Sequence, residues 1–156
     1  MLSKSTDDYQ GLAELLAMIR AAAHIHLTHH WQTHGPMYYS DHKLFMRIYE
    51  ETHEQVDGLA EKAIGLGHHS LVEPHSQMKM MEAYCADWCD AFEGESPNEM
   101  VIKSMMVVRE VISRIEKEIG DLEEKGKLTS GLNNLLEDMA DKQEEFVYLL
   151  KQRAMS

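Results

Sequence analysis

Histidines and carboxylates with the spacing of metal ligands are concentrated in the first half of the chain. The stretch HHWQTHGPMYYSDH, residues 29–42, holds four of the ten histidines of the sequence. Imidazole nitrogens suit ferrous iron and zinc, and carboxylate oxygens complete the donor set that such ions accept. The sequence therefore predicts a metal site, and its candidate ligands are His30, His42, Asp57 and Glu61.

The elements that must position these residues are helices. Apolar residues recur at helical spacing through most of the chain and only three prolines occur, so the sequence predicts an all-α fold. Four long helices are expected. They cover about residues 7–33, the segment that follows Ser40 and Asp41 and ends at Gly65-Leu66-Gly67, residues 96–126 and residues 129–152. A long crossover over residues 68–94 contains a shorter helix near 78–91. Short, long and short connections between four helices indicate a ferritin-like four-helix bundle.

The third long helix has the clearest signals. Ser96 and Glu99 are placed to form a capping box, and Pro97 occupies the first turn, where proline is favoured. Apolar residues then recur at steps of three and four, which is typical of a packing seam in a bundle. The predicted seam consists of Val101, Met105, Val108, Ile112, Ile115, Ile119 and Leu122.

Helix length decides whether one chain can close the metal site. Asp57 lies fifteen residues after His42 on the same predicted helix, which separates them by roughly 22 Å at about 1.5 Å per residue. His30 ends the antiparallel first helix and stays near His42. Only a second subunit in antiparallel register can bring Asp57 and Glu61 to the two histidines. A twofold interface of this kind contains two equivalent sites.

A metal site inside one bundle matches the sequence less well. Such di-iron sites use a glutamate from each of two helices and a Glu-x-x-His pair from each of the other two. Glu50 and His53 supply one pair. No histidine follows His75, so the second pair is absent.

The overall charge and the chain ends indicate which binding partners and which cellular location to expect. The formal net charge of -12 argues against direct DNA binding, because nucleic-acid affinity comes mainly from clustered Lys and Arg. The chain begins MLSKSTDDYQ, with one lysine against two aspartates. Neither a signal-like leader nor an apolar stretch long enough for a membrane helix is visible, so we expect a cytoplasmic protein.

The two cysteines, Cys85 and Cys89, lie four residues apart in a predicted helix. Their Cβ atoms would be about 5–6 Å apart, whereas a disulfide needs about 3.5–4.5 Å. We therefore expect reduced, buried thiols. A soft-metal site that includes Met78, Met80 and Met81 is the alternative.

Taken together, the candidate ligands and their neighbours resemble the Dps proteins, mini-ferritins named for DNA protection during starvation. The resemblance covers about residues 8–152. It rests on His30-Trp31, Gly35 and His42, and on Asp57 and Glu61 within DGLAEKAIGLG. It implies that residues 1–156 form a single ferritin-like, Dps-type domain.

The resemblance implies a hollow dodecameric shell with ferroxidase centres at its twofold interfaces. Fe(II) would be oxidised there, by hydrogen peroxide in preference to dioxygen, and stored inside as a ferric mineral, which links the protein to oxidative stress and cellular iron homeostasis. By position, the implied ligands are His30 and His42 of one subunit and Asp57 and Glu61 of its neighbour, with Glu61 bridging two irons. Trp31 is implied to lie beside the centre and to intercept radicals.

One residue departs from the family pattern at the implied centre. Four residues after His42, many relatives carry an aspartate that helps to hold the second iron, and this chain has Met46. His34, His53 and Glu54 are the candidates to replace it, and His53 is the first of them because it shares a helical face with Asp57 and Glu61. Alternatively, the centre works with one firmly bound iron and a transient second one. Zinc fits the same ligands, so a metal-sequestering cage with little oxidase activity is the second hypothesis.

Overall fold

Five α-helices make up the fold in the computed structural model, which describes residues 8–89 and 95–156. They are α1 (Gln10–Gln32), α2 (Tyr38–Gly65), α3 (Pro74–Trp88), α4 (Pro97–Glu124) and α5 (Ser130–Ala154), with a 3-10 turn at His69–Val72. The described ranges contain no strand, which confirms the predicted all-α class. None of these helices is long and apolar enough to cross a membrane.

The four long helices are α1, α2, α4 and α5, and α3 lies in the crossover from α2 to α4, as predicted. α3 begins at Pro74, four residues before the predicted start. The predicted end of this helix near residue 91 lies outside the described residues. Residues 1–7, which form most of the start MLSKSTDDYQ used in the argument against DNA binding, also lie outside the described residues.

α4 and α5 begin close to the predicted positions, and capping contacts stabilise the start of each helix. The Ser96 hydroxyl accepts a hydrogen bond from the Glu99 amide at 3.2 Å, and the Glu99 carboxylate accepts one from the Ser96 amide at 2.7 Å. This capping box satisfies two amides that a helix start leaves without intrahelical acceptors. Thr129 caps α5 with its hydroxyl, which accepts from the Leu132 amide at 3.1 Å.

The second helix begins earlier than the sequence predicts, at Tyr38 instead of after Asp41. Gly35 precedes it with a φ of 87°, a backbone conformation that glycine adopts without strain. The chain therefore reverses direction within residues 33–37, and the end of α1 lies beside the first turns of α2. As a result, His42 is already inside a helix.

Two apolar clusters fill the bundle. The larger one joins α1 to all the other helices. The smaller one lies between α2, α4 and α5, and its members are Phe45, Ile48, Met100, Val101, Val108, Phe146 and Leu150. Full burial of a large apolar side chain contributes about 1.5–3 kcal/mol relative to exposure. The smaller cluster holds together the end of the bundle that carries the predicted histidine ligands.

The buried face of α4 differs from the predicted seam. The seam residues that are only half-buried are Met105, Ile112 and Ile119. Ser104, Val111 and Glu118 are buried instead, because α4 packs against both α1 and α5 and its buried face is wider than one seam. Glu118 fits there because Gly11 on α1 has no Cβ, and a Cβ at that position would collide with the Glu118 carboxylate.

The prediction of two buried thiols is wrong for Cys89. Both cysteines are thiols and not part of a disulfide, but Cys85 is half-buried and Cys89 is exposed. The helix ends at Trp88, which is 3% exposed and occupies the core position at this end of α3. One residue further, the chain has turned by about 100° around the helix axis, so Cys89 faces away from the core.

A buried polar cluster joins α1 to α4. His26 and His29 are fully buried, and Nδ1 of each ring lies within hydrogen-bond distance of the Ser104 hydroxyl, at 2.9 and 2.7 Å. A hydroxyl donates only one hydrogen bond, so at most one ring accepts from Ser104 and at least one ring donates to it. The pKa of each imidazole is lowered from 6.5 to about 3, mainly by burial; the charge of His29 contributes to the shift of His26, and the charge of Lys103 contributes to that of His29.

We expect the free energy of unfolding to fall as the pH is lowered from 6.5 toward about 3, because the unfolded chain then binds a proton at His26 and the folded protein does not. The loss reaches about 1.4 kcal/mol per pH unit for such a group. The His26→Asn variant keeps a donor for Ser104 but does not titrate, so its stability should depend less on pH.

Denaturant unfolding at neutral pH and at about pH 5 measures this difference. The matched control is His69→Asn at an exposed position, which should retain the wild-type pH dependence. Equal slopes for the wild type and His26→Asn would contradict the prediction.

Candidate metal centre

Two imidazoles meet where the end of α1 lies beside the start of α2. His30 and His42 are half-buried, and their ring centroids lie 3.7 Å apart with an angle of 21° between the planes. The antiparallel packing of α1 on α2 brings the rings together, since the turn over residues 33–37 is short. The structure thus places two of the four predicted ligands side by side.

Reciprocal hydrogen bonds orient the two rings. His30 Nδ1 donates to the carbonyl oxygen of His42 at 2.8 Å, and His42 Nδ1 donates to the carbonyl oxygen of His30 at 2.8 Å. A carbonyl oxygen only accepts, so the proton of each neutral ring is on Nδ1. Each Nε2 then carries a lone pair. A hydrogen bond from the other ring nitrogen is what orients metal-binding histidines and selects their tautomer.

A buried ion pair anchors the start of α2 next to these rings. Asp41 is fully buried, and its two carboxylate oxygens accept from Arg153 near the end of α5, at 2.5 and 2.9 Å. Arg153 also donates to the Asn98 side chain at the start of α4, at 3.0 Å. Bidentate pairing restricts the relative orientation of guanidinium and carboxylate. The residue before His42 is therefore tied to two other helices.

Two tyrosines flank the imidazole pair. The Tyr38 ring stacks on the His42 ring, with centroids 5.0 Å apart and 26° between the planes. The Tyr49 ring meets the His30 ring edge-on, with centroids 5.4 Å apart and 60° between the planes. Sequence reasoning missed both tyrosines. Helical spacing was the available signal, because Tyr38 and Tyr49 lie about one turn before and two turns after His42.

The two predicted carboxylate ligands lie further along α2. Asp57 and Glu61 are both exposed, and their spacing of four residues puts them on one face of the helix. Asp57 is roughly 22 Å from His42 along the helix axis. Among residues 8–89 and 95–156, no group of three or more His, Cys, Asp or Glu side chains is placed to hold one metal ion. One protomer thus keeps the imidazoles and the carboxylates apart.

Trp31 and His53 lie on the surface of the protomer. Trp31 is 67% exposed. His53 is also exposed and lines a groove of about 330 Å³ between α1 and α2, together with Arg20 and Tyr49. The radical-intercepting role of Trp31 and the metal-binding role of His53 stay predictions.

Met46 lies one turn after His42 and is half-buried. A thioether is a soft donor that suits Cu(I) better than ferrous or ferric iron. This part of the candidate centre therefore presents a thioether in place of an oxygen donor.

The chain resembles known proteins in sequence family and in fold. A family model described as the ferritin-like domain matches residues 9–153. The Dps structure from Staphylococcus aureus has 20% identity and a TM-score of 0.79, with 95% of each chain covered. A C-terminal deletion mutant of Mycobacterium smegmatis Dps has 22% identity and a TM-score of 0.80, over 96% of this chain and 98% of that chain.

A third structure is that of DPS protein from Vibrio cholerae O1, described as a member of a broad superfamily of ferritin-like diiron-carboxylate proteins. It has 18% identity and a TM-score of 0.80, over 96% of this chain and 90% of that chain. At these identities the similarity establishes the fold, and it confirms the predicted ferritin-like bundle. No curated protein sequence matches the chain.

Replacing His42 with Asn should abolish tight divalent-metal binding at the imidazole pair without unfolding the protein. The Asn amide can occupy the position of Nδ1 and keep the bond to the His30 carbonyl, but Nε2 is lost. The affinity for Co²⁺, followed by its visible absorption, should fall by more than the roughly 10–100-fold that loss of an outer-shell group costs.

The control is His34→Asn, which changes an exposed histidine in the turn between α1 and α2. It should bind Co²⁺ as the wild type does. An unchanged Co²⁺ affinity in folded His42→Asn protein would show that the imidazole pair is not the binding site.

Proposed function

Because the chain belongs to the ferritin-like family and has the fold of Dps structures, we propose that it is a Dps-like ferroxidase that also stores iron. Fe(II) is oxidised, preferably by hydrogen peroxide, at centres shared between two subunits. The ferric mineral collects inside a dodecameric shell. The observation that carries this proposal is the oriented imidazole pair of His30 and His42.

The imidazole pair supports metal binding because its geometry exists before the metal arrives. Neither ring can rotate without breaking a 2.8 Å hydrogen bond. The two rings that carry the Nε2 atoms are also stacked on each other. Ligands that are already ordered lose little conformational entropy on binding. Two neutral rings do not offset the charge of Fe(II), so the centre also needs carboxylates.

A second subunit supplies those carboxylates in our proposal. When α2 helices of two subunits pack antiparallel, His42 of one faces Asp57 and Glu61 of the other. The midpoint between these positions is close to Tyr49, so a twofold axis would cross the helices there and generate two centres. The second subunit would then also cover the 330 Å³ groove that Tyr49 and His53 line.

The donor set explains how the centre favours oxidation. Two carboxylates balance the charge of Fe(II), and their attraction is stronger for Fe(III), which lowers the free energy needed to remove an electron. Two Fe(II), one hydrogen peroxide and two protons give two Fe(III) and two water molecules. Because peroxide is reduced by two electrons, no hydroxyl radical is released. Glu61 is the proposed bridge to a second iron, and Trp31 the proposed radical interceptor.

Acidic side chains along α2 and α5 are the proposed mineral surface. A groove of about 250 Å³ between these helices is lined partly by carboxylates and includes Glu51, Glu54 and Asp138. Carboxylates attract cations and raise their local concentration. In a closed shell this face would point toward the cavity, where it would hold the first ferric ions.

Fe(II) added without air and followed by peroxide should give ferric absorbance much faster with the protein than without it. The double variant His30→Asn and Asp57→Asn should lose this gain, because it lacks one ligand of each kind. A control with two exposed residues changed, His69→Asn and Glu144→Gln, should keep it. Equal rates for the wild type and the ligand variant would contradict the proposal, and tight zinc without turnover would favour the sequestering cage.

Complementation between subunits tests where the centre lies. One variant carries His30→Asn with His42→Asn, and the other carries Asp57→Asn with Glu61→Gln. Each alone should be inactive, but the co-expressed pair should recover about a quarter of the activity, because half of randomly formed dimers are mixed and each mixed dimer has one intact centre of two.

A centre built within one subunit would give no recovery in the mixture. Light scattering on each preparation provides the control, because every variant must have the mass of the same twelve-subunit particle for the comparison to hold. A monomeric wild-type protein would contradict the proposal directly.

A further inference from the structure

Two thiols that are one helical turn apart lie at the end of α3. Cys85 is half-buried, and Cys89, the residue that follows the helix, is exposed. The Cys89 amide donates to the Cys85 carbonyl oxygen at 2.8 Å, so helical hydrogen bonding extends to Cys89. The two side chains are in hydrogen-bond contact with each other. The proposed function leaves these residues, which we call the thiol pair, without a role.

Contacts along α3 hold this helix in place. Trp88 is 3% exposed, and its indole nitrogen donates to the Glu110 carboxylate on α4 at 2.6 Å. The Tyr84 ring stacks on the Trp88 ring, with centroids 5.7 Å apart. Nearer the start of the helix, the buried Gln77 side chain donates to the Ala13 carbonyl oxygen on α1 at 2.9 Å. α3 is therefore attached to two long helices, and the backbone of the thiol pair is ordered before any ligand binds.

The helical backbone opposes a disulfide between the two thiols. Cβ atoms four residues apart on a helix lie about 5–6 Å from each other, whereas a disulfide needs about 3.5–4.5 Å. Burial raises the pKa of the Cys85 thiol, and the neighbouring Cys89 raises it further, so less of the reactive thiolate is present. Both effects favour the reduced pair. A metal ion that lies between the two sulfurs does not require the Cβ atoms to approach.

The number of donors decides which metal ion fits the thiol pair. Thiolates are soft ligands that select Cu(I), zinc and iron–sulfur clusters. Structural zinc ions and iron–sulfur clusters are held by sets of four protein ligands. In the part of the chain that the structure describes, His, Cys, Asp and Glu side chains do not converge in groups of three or more that could hold a metal ion. Cu(I) differs from the other two, because it is stable with only two thiolates on opposite sides of it.

We propose that Cys85 and Cys89 bind one Cu(I) ion per subunit, each through its sulfur atom. The ion displaces the two thiol protons, because the thiolate is the form that binds metals. Cys89 is exposed in the protomer, so Cu(I) reaches the pair from solvent. The inference goes beyond the proposed ferroxidase function and does not depend on it, since iron prefers the nitrogen and oxygen donors of the candidate centre.

The methionines of α3 are not ligands in this proposal. Met81 lies one turn before Cys85, but it is 7% exposed and belongs to the larger apolar cluster, against which Met80 also packs. Met78 is 59% exposed and precedes Cys85 by seven residues, which is roughly 10 Å along the helix axis. The soft-metal site that the sequence allows as an alternative is thereby limited to the two thiols.

Titration of the reduced wild-type protein with Cu(I), without air, tests the proposal. We expect an ultraviolet charge-transfer absorption from thiolate to copper that saturates at one Cu(I) per subunit. X-ray absorption should show copper with two sulfur neighbours. Cys89→Ser changes an exposed residue, so this variant should stay folded and lose the absorption. Cys85→Ser should lose it as well, and circular dichroism checks that the half-buried position tolerates serine.

Two controls separate the thiol pair from other donors. Met78→Leu removes an exposed sulfur from the same helix and should retain one Cu(I) per subunit. The double variant His30→Asn and His42→Asn should also retain the absorption, because imidazoles do not produce it.

Undiminished absorption in folded Cys89→Ser would overturn the inference, and so would wild-type copper that has only nitrogen or oxygen neighbours. A disulfide in wild-type protein purified in air, detected by titration of the thiols, would also overturn it, because the pair would then be a redox dithiol. Displacement of Cu(I) by stoichiometric Zn²⁺ would contradict the choice of metal.

The proposed ferroxidase function has a separate test. Cys89→Ser should oxidise Fe(II) with peroxide at the wild-type rate, whether or not Cu(I) binds to the thiol pair. Failure of the proposed function would make iron oxidation independent of His30 and Asp57 and would leave the Cu(I) titration unchanged.

Discussion

The candidate centre depends on two hydrogen bonds from imidazoles to main-chain carbonyls, one donated by His30 and one by His42. Each contributes only about 0.5–1.5 kcal/mol to stability. Their importance is geometric, because each ring is held by the backbone of the helix that carries the other ring. The pair exists only while α1 and α2 stay packed in one register. That register is maintained by the smaller apolar cluster, which includes Phe45 and Ile48, and by the ion pair between Asp41 and Arg153.

The stiffness of α2 is the second constraint. The helix is 28 residues long and carries His42 in its second turn and Glu61 in its last two turns, so it keeps these donors apart in every protomer. A flexible segment could fold the carboxylates back onto the imidazoles, but a helix cannot. If these four residues act together, the helix must pair with a copy of itself. The proposed activity would then appear only in the assembled protein.

Buried polar groups set the alignment of α1 against its neighbours. Ser104 is shared by His26 and His29, and Glu118 lies against Gly11. A buried polar group that loses its partner destabilises the fold. An interface of apolar side chains alone would tolerate a shift of α1 along α4 more easily. These contacts therefore specify the alignment of the two helices more sharply than the aliphatic side chains around them. The same alignment determines where the end of α1, and with it His30, lies.

The amino-acid sequence by itself determined the class of the fold, the number of long helices and the short helix in the crossover, because hydrophobic periodicity and capping residues act locally. It also placed His30 beside His42 and separated both from Asp57, since the rise per residue of a helix converts a sequence separation into a distance along the helix axis. It did not determine the start of α2 at Tyr38, the burial of Ser104 and Glu118 in place of Met105 and Ile112, or the exposure of Cys89. These features depend on how helices meet in space. The ring contacts of Tyr38 and Tyr49 and the tautomer of the two imidazoles likewise arise only when α1 and α2 pack together, because each requires atoms from residues that the chain itself keeps apart.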